Sequence, residues 1–150
     1  MKRFRFPLRP VGVLRAHREL QARQALAAAL GLVAQADAKV AAVRARAAEL
    51  ERSISEGRGT GFRADLQVSF LQNYRRERGA EVEAVRLADL ARIEAAKRRQ
   101  EAIVANRNLK IVTRLEDKAR AAHRTEMLRA EQSEIDERAA SAAARQTPRL

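Results

Sequence analysis

Two histidines are the first candidates for chemistry in this sequence. His17 and His123 are the only histidines, and there is no cysteine in the chain. In the two-helix arrangement argued below, facing residues have numbers that add up to about 118, so the histidines lie roughly 33 Å apart along the helices. This distance excludes a metal or acid–base site shared by the pair.

Carboxylates are abundant, but they are interleaved with arginine or lysine at helical spacing. The clusters are Glu94 with Lys97 and Arg98, Glu77 with Arg76 and Arg78, and Glu116 with Arg120. Such spacing is typical of exposed ion pairs on a helix, each worth about a few tenths of a kcal/mol. We therefore expect no catalytic residue, no metal ligand and no cofactor.

The segment Gly57–Gly61, with the sequence GRGTG, is a possible phosphate-binding loop. A loop of that kind follows a strand and, in the nucleoside triphosphate type, ends in Gly-Lys-Ser/Thr. Neither feature is present. Three glycines in five residues instead predict a turn over 57–61, in which Thr60 caps the next helix.

The composition is that of long helices. Hydrophobic residues make up 46% of the 150 residues, but aromatics make up only 3%, and much of the apolar content is alanine. Charged residues reach 33%, a combination typical of coiled coils. A compact globule needs larger side chains at its centre, so we exclude one.

The formal net charge is +12, which favours contact with nucleic acid, an anionic membrane or an acidic protein. The arginines are scattered along the chain, so charge alone selects no partner. No stretch approaches the roughly 18 to 20 uninterrupted apolar residues of a membrane span. The start of the chain lacks the apolar segment of a secretory signal, and Pro7 and Pro10 interrupt a presequence helix. We expect no transmembrane segment.

Hydrophobic periodicity predicts a first helix from Val11 to Glu56. Its apolar residues recur in steps of three, four and seven at Leu26, Leu30, Val33, Val40, Val43, Ala47, Leu50 and Ile54. A second helix is predicted from Phe62 to Ala143, followed by a disordered tail over 145–150. Its seam is predicted at Leu87, Leu90, Val104, Ile111, Leu115 and Ala122, weakened between them by Glu94, Lys97, Glu101 and Asn108.

A tight turn makes two long helices pack antiparallel. The predicted fold is therefore all-α: one antiparallel coiled-coil hairpin over 1–144, whose second helix is longer than the first. The first helix covers the second as far as about Arg107, so 108–140 overhangs by roughly 50 Å. The side chains that the N-terminal arm cannot reach need a partner, a second copy or solvent. They are Ala122, Met127, Leu128 and Ile135.

Three aromatic residues lie near the turn, at Phe62, Phe70 and Tyr74. With Leu66 they either close the end of the helix pair or form an exposed patch that binds a partner. A similar choice applies to the arm, where Phe4 and Phe6 alternate with arginines. The arm either contacts nucleic acid or lipid headgroups, or packs its aromatics on the second helix while the arginines stay solvated.

The chain resembles the FliJ family of the flagellar type III export apparatus. The resemblance rests on the opening KRFRFPLRPVGVLRAHREL, on ADLQVSFLQNYRRER after the turn, and on IVTRLEDKARAAHRTEMLRAEQSEIDERAA near the end, with Asp136-Glu137 before a small-residue tail. Nearly the whole chain is covered, and the order and spacing of the three segments are more specific than each alone. The departure is the alanine-rich first helix, which has no aromatic.

The resemblance implies a central stalk that does not act as an enzyme. Members of the family insert their terminal ends into the ring of the export ATPase FliI and favour its hexamer. They contact the export gate protein FlhA and escort export chaperones, in the cytoplasm at the inner face of the cell membrane. By this resemblance Leu66, Phe70 and Tyr74 meet the gate. The residues assigned to the ring are Leu115, Ala122, Met127, Leu128 and Ile135.

Two other functions compete with this interpretation. A basic coiled coil that binds nucleic acid would show an affinity that falls steeply with salt. Against it, the basic residues are mixed with nineteen acids and no sequence-reading module is recognisable, so we expect no specific nucleic acid partner. A structural stalk subunit of a larger rotary ATPase shares the hairpin plan but usually has a longer chain.

Overall fold

The computed structural model shows two α-helices among the residues that it describes. It describes residues 3–59, 61 and 63–146. α1 runs over Arg9–Gly59 and α2 over Ala64–Gln146, and no strand occurs among the described residues. The predicted all-α fold, with two helices packed on each other and a longer second helix, is confirmed. α2 includes Arg145 and Gln146, which were predicted to belong to a disordered tail, while 147–150 lie outside the described residues.

The turn begins later than the predicted 57–61. α1 continues through Gly57, which is buried, as far as Gly59. A glycine inside a helix costs only about 1 kcal/mol relative to alanine, which is too little to end a helix that is packed at that point. Gly61 has φ of 77°, a left-handed conformation that favours glycine. The predicted cap at Thr60 and the aromatic Phe62 lie outside the described residues.

The chain forms two compact units. We call Leu20–Val104 the hairpin unit, and the segments before Leu20 and after Val104 the terminal unit. In the hairpin unit, the covered positions of α1 follow steps of three and four, as a coiled coil requires. The predicted seam of this helix is confirmed except at Leu30, which is exposed while its neighbour Ala29 is buried. The covered residues are Leu26, Ala29, Val33, Val40, Val43, Ala47, Leu50 and Ile54.

The seam of α2 differs from the prediction by one residue. Leu87 and Leu90 are 47% and 50% exposed, whereas Ala88 is 1% exposed. Of the other predicted seam residues, Val104, Ile111 and Leu115 are also exposed. The covered residues include Ala84, Ala88, Ala91, Ala95, Ala102 and Ala105. Small residues on α2 fit against the valines and leucines of α1, since large and small side chains on facing positions fill the space between two helices.

Ion pairs fix the antiparallel register of the hairpin unit. Arg46 bonds to Glu77 at 3.1 Å, Arg44 to Glu81 at 2.8 Å, and Arg92 to Asp37 at 2.6 Å. The numbers of these facing residues add up to between 123 and 129. The predicted value of about 118 was too small because α1 continues to Gly59 and α2 starts at Ala64.

The terminal unit has the same antiparallel arrangement. A Cβ added to Gly12 would lie 3.5 Å from Cγ1 of Val112, and the ring of Phe4 lies against His123. α2 is therefore covered up to His123, not only up to Arg107, and the arm does reach the neighbourhood of Ala122. The uncovered part of α2 is the segment 124–146, which is roughly 35 Å long.

One helix is long and apolar enough to cross a membrane by length and composition alone. This is α1 over Arg9–Gly57, in which an 18-residue window has a mean hydropathy of 1.5. Ala29, Val40 and Val43 give this helix buried contacts, and Asp37 gives it an ion pair with α2. The structure buries 17% of that window, and length and composition alone assign no membrane span to the helix.

Candidate partner-binding surfaces

The segment 124–146, which we call the overhang, exposes almost every side chain. Met127 is half-buried, whereas Leu128 is 61% exposed and Ile135 is 57% exposed. Ala122, one residue before His123, is exposed, and so is Leu115. Apolar side chains of this size are therefore accessible on a segment beside which the described residues place no second helix.

The five residues predicted to meet an ATPase ring do not form one stripe. At about 100° per residue, Leu115 and Ala122 lie on one face of α2, and Leu128 and Ile135 lie on another, well over 90° around the helix. Met127 lies between the two faces. A partner that contacts all five must surround the helix, whereas a single flat surface would contact one pair.

The aromatic pair near the turn is partly covered. Phe70 and Tyr74 lie one helical turn apart on the side of α2 that faces α1, and both are half-buried. Leu66 is 48% exposed. The aromatics therefore contribute to packing at the end of the helix pair, while Leu66 remains accessible.

The N-terminal arm is held against α2 by Phe4. Its ring lies edge-on to the ring of His123, with centroids 5.5 Å apart, and the Arg120 guanidinium lies 5.7 Å from the Phe4 centroid. Phe6 is half-buried, while Arg3 and Arg5 are exposed. This is the arrangement in which the aromatics pack and the arginines stay in solvent.

The histidines are not brought together. His123 packs on Phe4, whereas His17 is on an exposed position of α1, thirteen residues further along the chain than Phe4. In the part of the chain that the structure describes, no three His, Asp or Glu side chains are grouped so that they could hold a metal.

The predicted ion pairs form on the helix surface, with one change of partner. Arg98 lies 2.8 Å from Glu94, and Arg120 lies 2.8 Å from Glu116. Glu77 bonds across the helices to Arg46 instead of to a neighbour on its own helix. Sequence spacing could not show this, since contacts between helices depend on the register.

Three ion pairs, which differ from those predicted from the sequence, change the acidity of their members. The hydrogen bond from Arg44 is the largest cause that holds the pKa of Glu81 below its usual value. The hydrogen bond from Arg86 does the same to the pKa of Glu83, and Glu101 raises the pKa of Arg98. All of these groups favour their charged forms, and none of them is set up to exchange a proton near neutral pH.

A groove between the helices was not anticipated from the sequence. It has a volume of about 600 Å³ in the hairpin unit and is mostly apolar. Alanines form much of the wall of this groove. The sequence feature that could have indicated the groove is therefore a row of alanines beside exposed leucines. The lining residues include Leu32, Ala36, Val43, Ala84, Leu87 and Ala91.

Comparison with protein families decides between the functional classes. The model of the family described as flagellar FliJ protein matches residues 4–148. The chain belongs to the FliJ family. The match includes the N-terminal arm, both helices and the overhang, so it applies to every surface described above. Searches of curated proteins and of solved structures returned no match to the chain.

Membership of the FliJ family makes this chain a flagellar export-related protein. The family consists of structural and escort proteins without enzymatic activity.

Proposed function

We propose that this chain is the central stalk of the flagellar export ATPase. In this proposal the overhang enters the ring of FliI and favours the hexamer, while the end with the turn contacts the gate protein FlhA. The stalk also escorts export chaperones and works in the cytoplasm, held at the inner face of the cell membrane at the flagellar base. It catalyses no reaction itself. The supporting observation is the uncovered overhang of a FliJ-family chain.

The exposed apolar residues of the overhang and of the turns just before it suit a ring better than a flat partner. Leu128 and Ile135 lie on a different face from Leu115 and Ala122, so contacts are available around the helix. Subunits that encircle a helix meet all of its faces. One docked helix or sheet would meet only one of the two apolar pairs.

The ring contact is tested by the pair of substitutions Met127→Asp and Leu128→Asp in one chain. We expect the variant to lose stimulation of FliI ATPase activity and to stop promoting hexamers in analytical ultracentrifugation. Carboxylates at an apolar contact would be desolvated without partners. The matched control is Ile93→Asp, which changes an exposed side chain of the hairpin unit and is expected to stimulate normally. Normal stimulation by the overhang variant would disprove the ring contact.

The gate contact is assigned to Leu66 together with the accessible edges of Phe70 and Tyr74. Leu66→Asp is the cleaner test, because Leu66 is exposed and its loss leaves the packing of the aromatics intact. Val68→Asp is the control, since Val68 is exposed two residues away on a different face of α2. We expect Leu66→Asp alone to weaken binding to the cytoplasmic part of FlhA in calorimetry. Equal affinities for the two variants would exclude this surface.

A further inference from the structure

We propose that α2 binds an acidic amphipathic helix of a partner protein along its outer face, as the third helix of a coiled coil. The outer face is the exposed side of α2, within the hairpin unit, that points away from α1. It comprises Arg75, Val82, Leu90, Ile93, Lys97 and Val104. The ATPase ring and the gate are assigned to other surfaces, so this contact goes beyond them. The identification of its partner as the escorted export chaperone rests on the proposed function.

The residues of the outer face share one side of the helix. At about 100° per residue they fall within an arc of roughly 80°, along roughly 45 Å of α2. Ala95, which is buried, lies on the opposite side, roughly 180° from the middle of this arc. Leu90, Lys97 and Val104 follow one another in steps of seven, which is the spacing of a coiled-coil seam.

The apolar residues of the outer face are the reverse of what packing against α1 alone selects. Val82 is 72% exposed, Ile93 is 67% exposed and Val104 is 54% exposed. The buried residues in this part of α2 are the alanines Ala88 and Ala95. A helix with one partner carries its large apolar side chains on the buried side and polar ones on the outside. The outer face therefore has the properties of a second seam.

The charges of the outer face favour an acidic partner. Arg75 and Lys97 are exposed, and neither has a carboxylate at ion-pair distance among the residues that the structure describes. The carboxylates at the edges of the face are already bonded to arginines of α2, an example being Glu83, which lies 2.6 Å from Arg86. Unpaired cations beside a seam remain available for the acidic residues of a neighbouring helix.

A second copy of the chain and a lipid bilayer fit the outer face less well. Two outer faces in contact would bring the unpaired Arg75 and Lys97 of each copy together, and like charges at an interface repel. A flat apolar surface contacts a side of a helix that is about 100° wide or more, whereas an arc of roughly 80° is the narrower seam of a coiled coil. The phosphates of an anionic bilayer would also lie close to carboxylates such as Glu83.

Calorimetry with a purified export chaperone of the same flagellar system tests the proposal. The apolar variant is Ile93→Asp with Val104→Asp in one chain, and the charge variant is Lys97→Glu. Each is expected to bind the chaperone about tenfold or more weakly than the original chain, because the first removes the apolar contact and the second reverses the charge that selects an acidic helix.

Two control variants change matched side chains away from the outer face. Leu30→Asp with Leu32→Asp alters exposed leucines of α1. Arg99→Glu alters an exposed arginine on another side of α2, which like Lys97 has no carboxylate at ion-pair distance in the part of the chain that the structure describes. Both controls are expected to bind the chaperone like the original chain.

Circular dichroism checks that each variant keeps its helices, and Ile93→Gln with Val104→Gln replaces the aspartates if they unfold the chain. Equal affinities of the outer-face variants and the controls would overturn the proposal and leave escort to another surface. A dimer in analytical ultracentrifugation that the apolar variant dissociates would assign the face to a second copy instead. Flotation with phosphatidylglycerol vesicles that the same variant abolishes would assign it to lipid.

A chaperone that does not bind the original chain would overturn this proposal together with the escort role. Stimulation of FliI is measured on the same variants and is expected to be normal, because the outer face lies outside the overhang. The ring contact of the proposed function is therefore judged by a separate result.

Discussion

The guanidinium of Arg44 donates a hydrogen bond of 2.8 Å to the carboxylate of Glu81, which lies 37 positions further along the chain. Glu81 is also bonded to Arg78 on its own helix. The carboxylate is therefore held between two cations at the boundary between α1 and α2. This contact and the Arg46–Glu77 pair, which is one turn away, specify how the two helices of the hairpin unit align.

Glu81→Gln is expected to make the stability of the chain less sensitive to acid. The pKa of Glu81 is lowered in the folded state, chiefly by Arg44, so its ionised form stabilises the fold above the ordinary pKa of 4.5. That stabilisation is lost as the pH falls through the lowered pKa. The free energy of unfolding of the original chain should therefore exceed that of the variant at about pH 7, and the difference should narrow towards about pH 3.

Urea unfolding followed by circular dichroism at the two pH values measures this difference. Glu49→Gln is the control, because Glu49 lies on an exposed position of α1. A pH-dependent difference of the same size in both variants would mean that the contact between Arg44 and Glu81 is not its source.

The sequence predicted the class of fold and most of the α1 seam, but not the register. Val40, Val43 and Ala47 follow a heptad pattern that only one face of a helix can bury. On α2, alanines occupy the seam and leucines lie beside it, so assigning the largest apolar residues to the seam selected the wrong face. The contact between Arg44 and Glu81 depends on the length of the turn, which spacing within one helix does not determine.

Ala88→Leu is expected to destabilise the hairpin unit by about 1–3 kcal/mol. Ala88 is 1% exposed, and a leucine at this position would push α1 away or adopt a strained rotamer. The control is Ala96→Leu, an exposed position of the same helix, where we expect little change in the free energy of unfolding. Thermal unfolding compares the two variants. A leucine tolerated equally at both positions would show that the seam is not packed around Ala88.

Replacing two glycines by alanine is expected to have opposite effects. Gly31 is in the interior of α1 and has no atom within 4 Å of an added Cβ, so Gly31→Ala should stabilise the chain by about 0.5–1 kcal/mol. Gly61 has φ of 77°, and Gly61→Ala should destabilise it by about 1 kcal/mol because of backbone strain. The denaturant midpoint of Gly31→Ala should therefore lie above that of the original chain, and the midpoint of Gly61→Ala should lie below it. A shift in the same direction would contradict the turn conformation.

The candidate surfaces were only partly predictable. The exposed side chains of the overhang follow from the greater length of α2, which the position of the turn indicates. The exposure of Val13 and Leu14 does not, because these residues look like the beginning of a seam when the partner helix is unknown. Only the contact between Gly12 and Val112 shows that these side chains point outwards.

Phe4→Ala is expected to release the N-terminal arm from α2. Phe4 holds the arm through its edge-on contact with His123 and the guanidinium of Arg120 above its ring. An aromatic pair of this kind contributes about 0.5–1.5 kcal/mol beyond its buried area, so the arm should become accessible to trypsin at Arg3 and Arg5. In NMR spectra the ring protons of His123 should shift when the Phe4 ring is removed, while those of His17 provide an internal reference. Phe4→Leu keeps an apolar contact but has no ring, and it should move the His123 signals as Phe4→Ala does while protecting the arm better. Unchanged His123 signals in both variants would place the arm elsewhere.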